Sequence, residues 1–417
     1  MARDTEWRKK ELSLSEVLEK YPDVPKIVGL KIDIARRGLA YTQTALDRLD
    51  PEIHQVNKGG IFFSDKRPRP VGLFLRDGSY ILTNFDTVPD AQRDNYLVDV
   101  VDDKIYITDE GKLLEEVTYW EKPGYYGKKA SNGVPMENYA VARPQRLDVA
   151  LRSECHYWDT PGEGCKYCTW HTNFVKSGKP DIFPDKEIVV EVIREALKDR
   201  GRFASIMFGQ GTYLAGKEVF DEEVNEEVEL FQLIGERLFG DPKKKFPSTL
   251  VANAYNDKQL EKLAKETGLM TYTADLEILD HEKFDWICPG KKRFVGYDEW
   301  KRRLNVAVEL FGWGNVTSSV VIGAEQAKPN GFTSEKEAYH VITEEAESVI
   351  SHGIAIAGNV WVPSPGAMFQ KQDTPSLDFY VRTLRELNRL HHKYDVRRFA
   401  DDYRRCGAHP GLDLLRI

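Results

Sequence analysis

Cys155-His156-Tyr157-Trp158-Asp159-Thr160-Pro161-Gly162-Glu163-Gly164-Cys165-Lys166-Tyr167-Cys168 is the stretch on which the reading of the chain turns. Its three cysteines are spaced C-x9-C-x2-C, with an aromatic residue just before the last. Three thiolates hold three irons of a [4Fe–4S] cube and leave the fourth iron open to another ligand. A metal site with an open position is built for chemistry, whereas a closed four-ligand site is structural. His171 offers the closed alternative, a Cys3His zinc site formed with Cys155, Cys165 and Cys168.

Outward from this loop the pattern alternates. The apolar run Leu147 to Leu151 leads directly into it. After it come a helix over Lys186 to Asp199, a strand over Phe203 to Phe208 and a helix over Glu222 to Phe239. Strands are expected over Thr249 to Ala254, Leu269 to Leu279, Val316 to Ile322 and Ile354 to Val362. Helices fall between and after them, over Lys258 to Glu266, Asp298 to Phe311, Glu335 to Ser351 and Leu377 to Tyr394. Six strand–helix units in order imply parallel strands with crossover helices, and a barrel-like arc as their arrangement.

The first 145 residues read differently. Residues 1–50 are expected to be helical, with Ile27, Leu30, Ile34, Leu39 and Leu46 at roughly helical intervals. From 60 to 120 the period becomes two. Val71 to Leu75 and Tyr80 to Thr83 flank Asp77-Gly78, a hairpin signal, and strands over Tyr96 to Val101, Lys104 to Thr108 and Leu113 to Trp120 continue a β-meander. Residues 122–146, with Gly124-Tyr125-Tyr126-Gly127, read as an interdomain linker or as a lid over a site.

Composition narrows the function classes. The chain has 417 residues, 41% of them hydrophobic, enough for a large core and an added module. A formal net charge of −8 argues against a nucleic-acid binder. No apolar run approaches a membrane span, and the N-terminus has no apolar signal core, so the expectation is a cytoplasmic protein without a membrane partner. Five cysteines, three of them clustered, read as metal ligation in a reducing compartment.

Taken together, these features resemble the radical S-adenosylmethionine (SAM) superfamily. Its usual motif is C-x3-C-x-aromatic-C; Cys165-Lys166-Tyr167-Cys168 matches the second half, and the first gap is nine residues instead of three. The resemblance covers about residues 146–396. A more diffuse likeness, to biotin synthase and the aromatic amino acid lyases, runs from Glu277 through Cys288-Pro289-Gly290-Lys291 to Glu325. The resemblance implies an α/β fold with a (βα)6 partial TIM barrel over 146–396; outside it the patterns read as an N-terminal α+β module (helical, then β-meander) with linker over 1–145 and a C-terminal tail over 397–417.

The resemblance also implies roles. Cys155, Cys165 and Cys168 would hold a [4Fe–4S] cluster. Gly209-Gln210-Gly211-Thr212, at the second strand end, would receive the SAM amino group on its backbone. Glu277, or Asp275 two residues earlier, would meet ribose hydroxyls or the methionyl ammonium. Arg303, in preference to Arg302, would pair with the SAM carboxylate, and Val321, Ile322 and Gly323 would pack on adenine. The implied activity is reductive cleavage of SAM to a 5′-deoxyadenosyl radical that takes hydrogen from a small polar metabolite of amino acid or nucleoside type. A one-electron donor such as flavodoxin or ferredoxin would serve an oxygen-sensitive enzyme. Two alternatives stay open: the same chemistry on a peptide or protein docked by the N-terminal module, and a non-catalytic zinc-stapled binding protein. Cys288 and Cys406 cannot complete a second cube; Cys288 is expected to be a buried structural thiol. No substrate-side catalytic residue is assigned; Tyr157, Trp158, His171, Tyr255, Tyr272 and Glu325 fall in or near expected strand tops.

Overall fold

Six strands run parallel in one sheet, in the order in which the chain makes them. The structure, a computed structural model, describes residues 11–57, 68–82, 94–177, 181–396 and 409–416. Two units contribute.

In the first, α1 (Leu14–Lys20) and α2 (Lys26–Arg37) are followed by β1 (Leu39–Tyr41) and α3 (Gln43–Leu46). Then come β2 (Val56–Asn57), β3 (Arg69–Pro70), β4 (Gly72–Leu75), β5 (Tyr80–Leu82), β6 (Tyr96–Val101), β7 (Lys104–Asp109) and β8 (Lys112–Tyr119). The expectation that residues 1–50 are helical is corrected after α2. That helix stops at Gly38, whose φ of 81° few residues other than glycine adopt, and Leu39 to Tyr41 instead pair in parallel with Tyr96 to Val98. The expected hairpin is present, with Leu73 opposite Ile81. The meander is only partial. Strands β6, β7 and β8 follow one another, but the hairpin β4–β5 returns to pair on β8. Tyr125 is buried and Tyr126 partly so. The Tyr125 hydroxyl donates to the Ala140 carbonyl (2.7 Å) and the Tyr126 hydroxyl accepts from the Ala142 amide (3.2 Å), which anchors the linker.

The second unit begins with β9 (Ala140–Ala142), an antiparallel edge on β10 (Arg146–Ala150). It continues through α4 (Trp170–Ser177), α5 (Lys186–Ala196), β11 (Ser205–Gly209), α6 (Asp221–Phe239), β12 (Ser248–Ala252), α7 (Asp257–Glu266) and β13 (Thr271–Ala274). Then follow α8 (His281–Ile287), α9 (Pro289–Phe294), α10 (Tyr297–Phe311), β14 (Val316–Ile322), α11 (Glu335–Ile350), β15 (Ile354–Val360) and α12 (Leu377–Lys393). Strands β10 to β15 are the parallel run, with helices crossing between neighbours as parallel pairing requires. Caps fix the helix starts: Asn256 and Gln259 form a reciprocal capping box on α7, and Ser376 caps α12.

The strand expected from Leu269 to Leu279 is shorter, and the reason lies in its side chains. Asp275 takes the Ser319 amide (2.7 Å) and Ser318 Oγ takes the Leu276 amide (2.8 Å), so side chains replace the ladder after Ala274. Pairing resumes at Glu277, which bridges Val320 with a φ of 70°. That left-handed conformation is uncommon for a residue other than glycine and clusters at functional positions.

Val17, Val24, Val28 and Ile32 of the first two helices share one buried core with Leu147, Ile356 and Leu384 of the second unit. The C-terminal segment joins them: Lys31 and Asp413 form an ion pair with side chains 1% and 2% exposed. Removing one partner of such a pair strands the other charge, so Asp413→Asn is expected to cost about 3–5 kcal/mol, measured by denaturant unfolding.

Candidate active site

The C-terminal ends of β10 and β11 are level, with Ala150 opposite Gly209. From there the two strand-end segments run against each other. The Leu151 amide donates to the Gly209 carbonyl (2.9 Å), the Gly211 amide to Arg152 (3.0 Å), and the His156 amide to Thr212 (2.9 Å). A Cβ on Gly211 would lie 1.7 Å from the Glu154 carbonyl oxygen, so only glycine permits this approach. The glycine-rich segment is therefore the wall on which the cysteine loop rests.

The loop is held on its other side by α8 and α9. The Lys166 amide donates to Ile287 (2.9 Å), the Gly290 amide to Glu163 (2.8 Å), and Arg293 pairs with Glu163 (2.6 Å). Within it, Cys165 is buried and Cys155 and Cys168 are partly buried. Burial pushes the Cys155 and Cys168 thiols up, and each feels the charge of Cys165. The Cys288 side chain adjoins Cys165 and, ahead of burial and nearby charges, draws the Cys165 thiol down. Cys288 itself is fully buried. The expected structural thiol thus lies directly behind the cysteine loop. Cys406 lies outside the described residues.

Next to it, Lys291 Nζ bonds both the Asp275 carbonyl (2.6 Å) and Glu277 Oε1 (2.6 Å), 4.5 Å from the centre of the Trp300 ring. Burial opposes the charge on Lys291, but Glu277, Cys165, Cys288 and Asp275 together more than restore it and hold the ammonium above its ordinary range. Burial, then the charge of Glu277, pushes the Asp275 carboxyl up to about 6. Glu277 accepts the Val321 amide on its carbonyl (2.7 Å), which places it beside the end of β14. Val321, Ile322 and Gly323 follow there, all buried or nearly so.

The structure thus gathers the cysteine trio, Gly209 to Thr212, Glu277 and Val321 to Gly323 at the same strand ends. Arg303 stands on α10, with Nε on Glu299 (2.7 Å) and a guanidinium N–H on the Ala254 carbonyl (2.9 Å). Arg302 is spent on Asp257 and Glu299 at the surface. Tyr157, Tyr255 and Tyr272 are buried among neighbours; the Tyr157 hydroxyl donates to Asn253 (3.0 Å). His171 stacks on Trp158 (5.2 Å, 8°) and its Nδ1 meets Glu154 (3.0 Å). Two residues to which the sequence reading gave no role complete the surroundings, Lys291 and the α6 carboxylate Glu223.

Glu325 is isolated. Its carboxyl accepts the Gly323 amide (3.0 Å), and burial pushes it up to about 7. The folded value stands above the ordinary 4.5, so this group's contribution to stability is lost as pH rises through about 7. Glu325→Gln removes a group that becomes costly when charged. Its melting temperature is expected to gain on the wild type as pH rises from about 5 to about 8, read by calorimetry across that window.

No family model matches the chain. It is 24% identical over 311 residues to the bacteriochlorophyllide c C-7(1)-hydroxylase of Chlorobaculum limnaeum, covering 72% of this chain and 73% of that protein. Among solved structures, a radical SAM methyltransferase from Sphaerobacter thermophilus aligns over 95% of this chain and 97% of its own, with 14% identity and a TM-score of 0.39. The methyltransferase TsrM from Kitasatospora setae, solved with cobalamin and a [4Fe–4S] cluster, aligns over 54% and 38%, with 11% identity and a TM-score of 0.36.

The cysteine spacing that resembles the radical SAM superfamily thus sits in a chain similar to that hydroxylase. The cofactor pair that this resemblance implies is a [4Fe–4S] cluster and S-adenosylmethionine. The residues present fit this radical SAM pair: one loop carries three sulfur donors, and a glycine-rich backbone segment lies against it. Among the described residues no group of three His, Cys, Asp or Glu is placed to hold a single metal ion. The ligands of a cube bind separate irons and need no such convergence. His171, the fourth ligand of the zinc alternative, is engaged by Glu154 and stacks on Trp158.

Proposed function

We propose that the chain abstracts hydrogen from an unactivated carbon of a small polar metabolite, of amino acid or nucleoside type. When bound, the cluster and SAM supply the 5′-deoxyadenosyl radical for that step. The observation that carries the reading is the seating of the cysteine loop on Gly209 to Thr212. Cys155, Cys165 and Cys168 hold the cluster. The Gly209 to Thr212 backbone and the Glu277 carboxylate take the polar end of SAM, while Val321, Ile322 and Gly323 offer an apolar surface to adenine. Lys291 holds the Glu277 carboxylate in place. Arg303, held by Glu299 and Ala254 through two of its five N–H groups, pairs with the SAM carboxylate.

The sequential parallel order supports a (βα)6 partial barrel over 146–396, because crossovers of one hand between successive strands place their helices on one face, and the other face is covered when the sheet curls. The core shared with α1 and α2 speaks against an independent peptide-docking module over 1–145. The relative's name favours a second reading, in which the abstracted position becomes hydroxylated. A cytoplasmic setting and a flavodoxin- or ferredoxin-type reductant go with the proposal. Among the described residues no helix is long and apolar enough to cross a membrane.

The test is anaerobic. Reconstituted, reduced protein is given SAM, 5′-deoxyadenosine is measured, and metabolite fractions are added. Acceleration by a polar amino acid or nucleoside fraction supports the first reading, and an oxygenated product of a bulky apolar compound supports the second. No nucleoside release under any condition overturns both.

A further inference from the structure

Behind the Gly209 to Thr212 segment, α6 buries two carboxyl groups one turn apart. Glu223 is 1% exposed and Glu227 0%. Two carboxylates cannot both be charged in so dry a place without a cation between them. Arg152, whose charge acts on Glu223, is committed to Glu226 (2.9 Å) and Asp181 (3.4 Å).

The hydrogen bonds separate their roles. Glu223 meets donors on both oxygens. Oε2 takes the Tyr213 amide (2.5 Å), and Oε1 takes Asn253 Nδ2 (2.8 Å) and the Tyr255 hydroxyl (2.6 Å). Three donors describe a carboxylate. Glu227 is different. Oε1 takes Gln210 Nε2 (2.6 Å) and lies 2.8 Å from the same Tyr255 hydroxyl, whose single proton serves Glu223 at the shorter distance. Oε2 of Glu227 is buried without a partner, and so is Oε1 of Gln210. Two orphaned acceptors therefore sit on side chains already joined through their other ends, and one proton placed between them satisfies both.

We propose that Glu227 is held as the neutral carboxylic acid, donating Oε2–H to Gln210 Oε1 while accepting Gln210 Nε2–H on Oε1, and that this acid–amide ring fixes the SAM-facing segment. Glu223 is the charged member of the pair. Both bear on the same wall: Glu223 holds the Tyr213 amide and, through Asn253, the Thr212 hydroxyl (3.1 Å), while Glu227 holds Gln210. These are positioning residues. The assignment of the segment to SAM rests on the function proposed above; the protonation assignment does not.

The two isosteric variants behave oppositely if this is right. In Glu227→Gln the new amide supplies the donor that the acid supplied, so melting temperature and SAM affinity stay close to the wild type. In Glu223→Gln an amide group faces donors, which lowers the melting temperature by several degrees and weakens SAM binding by roughly tenfold. Isotope-edited infrared difference spectra of the full-length apoprotein at pH 8 should show a protonated carboxyl band that is absent from Glu227→Gln and present in Glu223→Gln. A missing band, or a Glu227→Gln variant as unstable as Glu223→Gln, overturns the proposal. If the band and the stability pattern appear but SAM affinity is unmoved in Glu223→Gln, the protonation stands and the placement of SAM on this segment fails.

Discussion

Cys168→Ala is expected to assemble no cluster: iron falls from about four per chain to background, the brown colour is lost, and 5′-deoxyadenosine release drops by at least about a thousandfold. Cys165→Ala is expected to do the same. Both sulfurs belong to the loop held between Gly209 to Thr212 and α9, and neither iron ligand has a substitute in reach on that loop. Cys288→Ala is the informative control. Its sulfur meets Cys165 from the buried side, so its removal should leave iron content near the wild type. It should shift the cluster's potential, because hydrogen bonds to ligating sulfur tune that quantity. Iron analysis and an electron paramagnetic resonance titration read both results. Full iron and full nucleoside release in Cys168→Ala would remove the basis of the functional reading.

Gly211→Ala is the second large effect. The added carbon would lie 1.7 Å from the Glu154 carbonyl oxygen, 2.4 Å from its carbon and 2.9 Å from the Cys155 amide nitrogen. All three are backbone atoms, so no rotamer relieves the clash. Either the entry to the cysteine loop or the glycine-rich segment has to move, and the bonds Gly211 to Arg152 and His156 to Thr212 are lost with it. Overpacking of this kind costs about 1–3 kcal/mol. The greater loss should be in function: SAM binding is expected to fall by at least about a hundredfold, and cluster occupancy to drop after reconstitution. Calorimetric binding and iron counts check the two separately. A variant with ordinary affinity and full iron would show that the two segments do not cooperate.

Much of this was legible in the sequence, for reasons that can be traced. The six parallel strands appear as apolar runs separated by helices with one apolar stripe, so their order was readable. The cysteine loop was readable because its spacing is local. What escaped depended on side chains meeting across distance. The end of β13 was placed too late because Asp275 and Ser318 take over the ladder bonds, a substitution that no periodicity records. Helices α8 and α9 were missed because each is short and Pro289 begins the second. Cys288 and Lys291 could be quoted as a motif but not placed, since only the fold brings that turn behind Cys165 and beside Glu277. Glu223 and Glu227 look like the polar side of an amphipathic helix until Gln210, Asn253 and Tyr255 are seen around them.

The Lys31–Asp413 contact bears on how the molecule comes into being. An early helix waits for a carboxylate made almost four hundred residues later. Until that residue leaves the ribosome, a buried-type lysine and the apolar stripe of Val28 and Ile32 remain uncovered. Maturation is therefore expected to wait until Asp413 has been made, and the nascent protein to be a client for holding chaperones until then.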